Sequence, residues 1–320
     1  MKKSIFPLLT LLCTCTGIFA QKQNVYLIKD NGQYVETRDS ADYIRIVQEP
    51  DKGSDLYIIN EYYKDGKIKS MGLSRKVDPP SYVGIYRSMY NNGNKKQVAN
   101  YVKGMLNGTV FNYYPNGKLY TSYVYNDTTP GSGITSYQVI EVNDSTGKPL
   151  VKDGNGLCAL YDNDFKHIIS RGMIKNGEYD GVWTGEDPGL HLSYKETYEN
   201  GKMISGESTG EDHVTLTYTR SHIQPEYKGG VNSFYRYLGT SIRYPPNCQR
   251  MGIQGIVLLK FIVEKNGSLT DIKVVNYVDE ELAAEAVRVL KQSPRWTPGT
   301  MRGRTVRVTY TVPISFSLGR

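Results

Sequence analysis

Histidine is scarce in this 320-residue chain. The four present, His167, His191, His213 and His222, include no i,i+4 pair and have no cysteine companions, so a zinc site is not supported and no metal is expected. Cysteine is equally sparse. Cys13 and Cys15 fall near the N-terminus, while Cys158 and Cys248 lie far apart without the spacing of a disulfide framework, and two semi-buried thiols are expected. No glycine-rich phosphate loop precedes a helix. Gly206-Glu207-Ser208-Thr209-Gly210 has the letters of a nucleophile elbow, but residues 213–219 alternate like a strand where a helix is needed, and a loop is expected there. The 14 prolines are scattered, so no proline-rich spacer exists. These absences exclude the usual catalytic constellations, and neither an enzyme nor a cofactor is expected.

Long apolar runs are missing too. Lys2 and Lys3 precede an uncharged stretch, residues 6–21, centred on residues 8–12 and ending at small Ala20. A spanning helix needs ~20 apolar residues. The layout fits a secretory signal peptide over 1–20, cleaved before Gln21, with an uncleaved inner-membrane anchor facing the periplasm as the alternative. A periplasmic protein is expected. Neither Cys13 nor Cys15 follows the small residue that lipid attachment requires.

What the chain has in plenty is tyrosine, 27 in all, 21 of them before residue 225. Charge divides the other way. Residues 1–224 carry 25 basic and 25 acidic side chains and residues 225–320 carry 14 and 7, so the whole excess of +7 is C-terminal. Residues 21–220 show no convincing helix and repeat the form Tyr-x-[Asn/Asp]-Gly at Tyr63, Tyr90, Tyr114 and Tyr198, with a second turn class at Asn107-Gly108, Asn176-Gly177 and Asp180-Gly181. Two turns per period of 24 or 27 residues describe stacked β-hairpins, similar to MORN-type tyrosine-rich repeats, over residues 21–221. The tyrosines are read as cross-strand pairs that hold the hairpins together. Residues 222–230 read as a linker.

The last part, residues 222–320, reads as a separate α+β domain, a three-stranded antiparallel sheet packed by two helices, so the fold class is mainly β with a C-terminal α+β domain. Val231, Phe234, Tyr235 and Leu238 mark a short amphipathic helix ended by Tyr244-Pro245-Pro246. Residues 255–263 form a nearly all-apolar strand broken by Lys260. Asn266-Gly267 suits a tight two-residue hairpin turn, and residues 269–277 return. Asp279 caps a helix with Leu282, Ala283, Ala286, Val287 and Leu290 on one stripe, stopped by Pro294. Residues 305–318 alternate without a break: Val306, Val308, Tyr310, Val312, Ile314, Phe316 and Leu318 face one side. Pro313 cannot donate to a ladder and places this strand at an edge, paired with the first strand on the side away from the second. Arg302, Arg304 and Arg307 are expected to meet a partner's acidic residues or to be solvated, and export argues against nucleic acid.

Residues 225–230 (Pro-Glu-Tyr-Lys-Gly-Gly), then Tyr244-Pro245, Gly252-Ile253-Gln254-Gly255, Asn266-Gly267, Arg295-Trp296-Thr297-Pro298-Gly299 and the closing Val312-Pro313-Ile314-Ser315-Phe316, resemble the C-terminal domain of TonB energy transducers. Lys228 departs from the proline many relatives carry. The resemblance implies structural roles for Tyr244, Pro245, Gly255, Asn266, Gly267, Trp296, Pro298 and Gly299. It also implies a docking strand of Val306, Arg307, Val308, Thr309, Tyr310, Thr311, Val312, Pro313 and Ile314 that captures the TonB box of outer-membrane transporters by strand addition, with Gln249, Arg250 and Met251 nearby. In that family ExbB and ExbD supply energy through an N-terminal helix bearing a serine and a histidine. Residues 1–20 contain Ser4 and no histidine, so ExbB and ExbD enter as partners only with an uncleaved anchor. The alternative is an envelope scaffold in which the hairpins are the working part and the C-terminal domain pairs with itself, as a homodimer, or with a peptidoglycan-associated partner.

Overall fold

The computed structural model describes residues 23–126, 137–276 and 278–318. The signal peptide expected over 1–20, with Lys2, Lys3 and Ala20, lies outside the described residues, as does Tyr277. Among the described residues no helix is long and apolar enough to cross a membrane. The chain forms two compact units, residues 1–153 and 154–320.

The first unit is an antiparallel meander. Its strands are β1 (Gln23–Ile28), β2 (Tyr43–Gln48), β3 (Tyr57–Tyr63), β4 (Ile68–Ser74), β5 (Tyr82–Met89), β6 (Lys95–Val102), β7 (Met105–Leu106), β8 (Gly108–Tyr113), β9 (Leu119–Tyr125), β10 (Tyr137–Asn143) and β11 (Pro149–Lys152). Alternate side chains turn inward, and Val47, Ile59, Val110, Val142 and Val151 are buried. One turn design recurs. At Tyr63, Tyr90 and Tyr114 the tyrosine amide donates to the carbonyl four residues on, and the glycine three residues on returns a hydrogen bond to the tyrosine carbonyl. The Asp65, Asn92 and Asn116 Oδ1 atoms accept from the amide two residues ahead, at 3.0–3.1 Å. Only the glycine has positive φ. This is a type I turn closed by a glycine bulge, with the register shift beside it.

The tyrosines then tie each turn to the next. Tyr63 Oη donates to the Met89 carbonyl, Tyr90 Oη to that of Tyr113 and Tyr114 Oη to that of Asn143, at 2.7, 2.7 and 2.8 Å. Every acceptor is the residue just before the next turn. That turn begins at Asp144 in the last case, a copy without tyrosine.

The second unit opens with further hairpins: β12 (Asn155–Tyr161), β13 (Ile168–Lys175), β14 (Glu178–Asp187), β15 (Leu192–Glu199), β16 (Lys202–Gly210) and β17 (Thr215–Tyr218). Here Asn176-Gly177 and Asn200-Gly201 have positive φ at both positions, the two-residue turn expected of such dipeptides. The stretch 206–210, expected as a loop, is strand, because its alternation places buried Ser208 against the chain's C-terminal part.

Residues 222–230, expected as a linker, are anchored instead. His222 and Ile223 form β18 (His222–Ile223), paired with β21 (Thr300–Met301), and Glu226 exchanges backbone hydrogen bonds with Thr297. Two-residue bridges leave no periodic trace in a sequence. The C-terminal domain continues with α1 (Gly230–Ser241), α2 (Pro246–Met251), β19 (Gly255–Val263), β20 (Leu269–Val274), α3 (Glu280–Lys291), β22 (Arg304–Thr305) and β23 (Val308–Phe316). The sheet order is β20-β19-β23, as expected. Its core gathers Val257, Leu259, Phe261 and Val263 from β19, Val312, Ile314 and Phe316 from β23, Leu282, Ala286, Val289 and Leu290 from α3, and Trp296. The Asp279 side chain caps α3, accepting from the Glu281 and Leu282 amides. Asn266-Gly267 is not the two-residue turn expected but the type I turn with a glycine bulge used in the first unit: Gly267 alone has positive φ, and Asn266 Oδ1 accepts from Ser268. Cys158 and Cys248 are free and buried.

Candidate functional site

The docking strand expected from the sequence is shorter in the structure. Arg304 and Thr305 pair back onto β21, so Val306 and Arg307 precede the strand and β23 starts at Val308. From there the register on β19 is continuous, Val263 opposite Val308 to Gly255 opposite Phe316. Among the described residues no strand pairs with the other edge of β23.

The direction of its backbone groups follows from Leu258, the residue opposite Pro313. The Leu258 amide donates to Asn276 Oδ1 at 2.7 Å and its carbonyl accepts from Val275 at 2.9 Å, so both groups point away from β23. The pair Leu258–Pro313 is therefore a non-hydrogen-bonded one, and by the antiparallel alternation the backbone groups of Thr309, Thr311, Pro313 and Ser315 point to the open edge. Pro313 lacks only an outward donor. Val308, Tyr310, Val312, Ile314 and Phe316 bond inward to β19.

Beside this edge is a cavity of about 440 Å³, lined by residues 224–227, by Val231, Phe234 and Tyr235 of α1, by Trp296 and by Tyr310, Thr311, Val312 and Pro313. The four apolar residues expected on one face of α1 divide: Phe234 and Leu238 are buried, while Val231 and Tyr235 stay 58% and 57% exposed. Trp296 underpins the cavity, with edge contacts at 5.2–5.9 Å to Phe234, Phe261, Tyr310 and Tyr227. None of residues 224–235 is expected at the site from the sequence; the exposed half of an apolar helix stripe, Val231 and Tyr235, is the signal that points to it. Gln249, Arg250 and Met251, expected near a captured segment, sit exposed on α2 and do not line this cavity.

Some of the residues assigned structural roles make backbone contacts within this domain. Tyr244 Oη donates to the Ile253 carbonyl at 2.6 Å, and Pro245 supplies the carbonyl that receives the Gln249 amide. Gly255 opens β19, and the Gly299 carbonyl accepts from Val306 just after Pro298. All three arginines find acidic partners within the chain; Arg302 and Arg304 are largely withdrawn from solvent, while the Arg307 side chain is 58% exposed and solvated as expected. Arg307 pairs with Glu264 at 2.7 Å and holds that carboxyl below its usual range. Arg304 meets Asp212 and Arg302 meets Asp187 and Glu196, contacts hidden from sequence reading by separations of 92, 115 and 106 residues.

Residues 240–318 match the family model described as Gram-negative bacterial TonB protein C-terminal. The chain carries a TonB C-terminal domain. Two curated relatives named Protein TonB, from Helicobacter pylori strains J99 and 26695, are each 33% identical over 113 residues, 34% of this chain. The match covers 39% and 38% of those proteins, so this chain spans under two fifths of their length. Two NMR solution structures of the Helicobacter pylori TonB-CTD, residues 194–285 and 179–285, are 30% and 31% identical to it. They are covered to 91% and 90% while covering 27% and 29% of this chain, each with a TM-score of 0.22. The tyrosine-rich hairpins, which end at Tyr218, lie outside residues 240–318.

Proposed function

We infer that this is a TonB-like coupling protein of the cell envelope, not an enzyme, that captures an extended segment of an outer-membrane transporter by adding it as a strand to β23. The observation that carries this reading is the open edge itself, with the outward amides of Thr309, Thr311 and Ser315 beside an apolar cavity. An unpaired strand offers main-chain hydrogen bonds to any extended chain, and an adjacent apolar recess supplies selectivity for side chains. Residues 240–318 match the TonB family over this region, which supports the same assignment. The protein is exported to the periplasm, and ExbB and ExbD join it only where the N-terminal segment remains as an anchor.

Titration of the full chain with peptides from the N-terminal segments of outer-membrane transporters tests the reading. Thr311→Pro removes an outward donor while sparing the ladder to β19, and binding should weaken at least tenfold, roughly the worth of one main-chain hydrogen bond left unmade. Thr309→Ala should change affinity less than about threefold, because its side chain is not what the ladder uses. Tyr310→Pro should unfold the strand as well, since its amide bonds inward. Unchanged binding by a folded Thr311→Pro chain overturns strand addition at this edge. Absence of binding by the parent favours the scaffold reading.

A further inference from the structure

The turn between β21 and β22 carries a residue that turn chemistry does not choose. Arg302 has φ +48 and Gly303 φ +79, the two-residue geometry that favours asparagine, aspartate or glycine at its first position. An arginine held there is strained relative to those residues, so its side chain is the reason for its presence. That side chain enters the last hairpins. Nη1 donates to Asp187 at 2.8 Å, Nε to Glu196 at 3.2 Å, and the guanidinium carbon lies 3.7 Å from the centre of the Tyr194 ring. The backbone is held as well: the Arg302 amide donates to the Ser221 carbonyl, and Ser208 Oγ donates to the Arg302 carbonyl.

Glu196, on β15, is 4% exposed. It begins the run Glu-x-Tyr-x-Asn-Gly-Lys, residues 196–202, and the same form with aspartate, Glu-x-Tyr-x-Asp-Gly-Lys, begins at Glu61 on β3. The two glutamates are satisfied differently. Glu61 faces Arg45 on the preceding strand, which binds it at 2.9 Å, and accepts from Ser70 on the following strand. Glu196 faces Trp183 on the preceding strand and Gly206 on the following one. A β-carbon at Gly206 would lie 2.4 Å from the Tyr218 ring, so the glycine admits that ring, and Tyr218 and Tyr198 each donate a hydroxyl to Glu196 at 2.9 Å. Two neutral donors leave the charge itself uncompensated, and a buried carboxylate requires a cation. Neither residue facing Glu196 on the adjoining strands, Trp183 or Gly206, is a cation. Arg302 supplies one.

We propose that the last hairpin repeat is incomplete without the TonB C-terminal domain: Arg302 is the cation that an earlier repeat draws from its own neighbouring strand, and the domain is thereby the cap of residues 192–218. The ends of stacked repeats need such a cap. The bond between the two parts is a charge lock, not a tether.

Hydrogen exchange read by mass spectrometry on the full chain tests this. In Arg302→Ala, peptides covering 192–218 should exchange at least tenfold faster, while residues 57–74 and 255–263 exchange as in the parent. Arg302→Ala combined with Glu196→Gln, which removes the uncompensated charge, should regain most of the lost protection, and should also recover folding if the single variant fails to fold. Unchanged exchange over 192–218 in Arg302→Ala overturns the proposal. So does a double variant that exchanges as fast as, or remains as unfolded as, the single one, because the role of Arg302 would then be packing.

Discussion

Gly267 stands at φ +81, and a β-carbon built on it would lie 2.0 Å from the Trp296 carbonyl oxygen. That carbonyl belongs to a fixed segment, since the Trp296 amide donates to the Gly267 carbonyl at 2.9 Å. Gly267→Ala should therefore destabilise the C-terminal domain by more than about 2 kcal/mol, measured by urea unfolding with Trp296 fluorescence. Asp279 gives a pH-dependent case. The hydrogen bond from the Cys248 thiol, and then the Leu282 and Glu281 amides, hold its carboxyl below the usual range against the effect of burial. Burial and that carboxylate push the thiol up to about 11, so it remains a donor at neutral pH. A depressed carboxylate stabilises the fold above its unfolded value of ~3.9, and the contribution fades as pH falls through the folded value. The gap in Tm between the parent and Asp279→Ala should be widest near neutrality and close in acid; a gap independent of pH would contradict the capping role.

At the scale of elements, the tyrosine hydroxyls are the rungs between turns. Tyr63→Phe, Tyr90→Phe and Tyr114→Phe should each cost about 1 kcal/mol, the largest at buried Tyr114, where the Asn143 carbonyl loses its donor. Equal stability of parent and Tyr114→Phe in urea would dismiss the rungs as incidental. The sequence already held the strands and their order in the C-terminal sheet, because a two-residue period and a single proline settle which face and which edge. Turn type was less legible. Asn-Gly serves both the two-residue turn at Asn200 and the bulged turn at Asn266, and the choice depends on whether the side-chain oxygen of the asparagine is recruited to the backbone two residues on. The cavity beside β23 was harder still, since residues 224–235 come to it through the Glu226–Thr297 bridge and the packing of Tyr227 and Phe234 on Trp296.

For the molecule as a whole, residues 222–320 contain a complete core and should fold as an isolated fragment, but with a lower unfolding midpoint than the same residues in the full chain, since Arg302 and Arg304 lose Glu196, Asp187 and Asp212. Matching midpoints would mean that the lock adds nothing to stability. An exposed strand edge also poses a question of solubility, because identical molecules carry identical edges. Pro313 answers it by interruption. A long strand, including that of a second copy, meets a missing rung after Thr311, whereas a segment of a few residues can end before the gap. Restoring the donor with Pro313→Thr should leave the monomer folded yet promote self-association at high concentration, visible by sedimentation velocity. On the strand-addition reading, one imino acid would thus set an upper length on the segment added at this edge and oppose its pairing with a second copy.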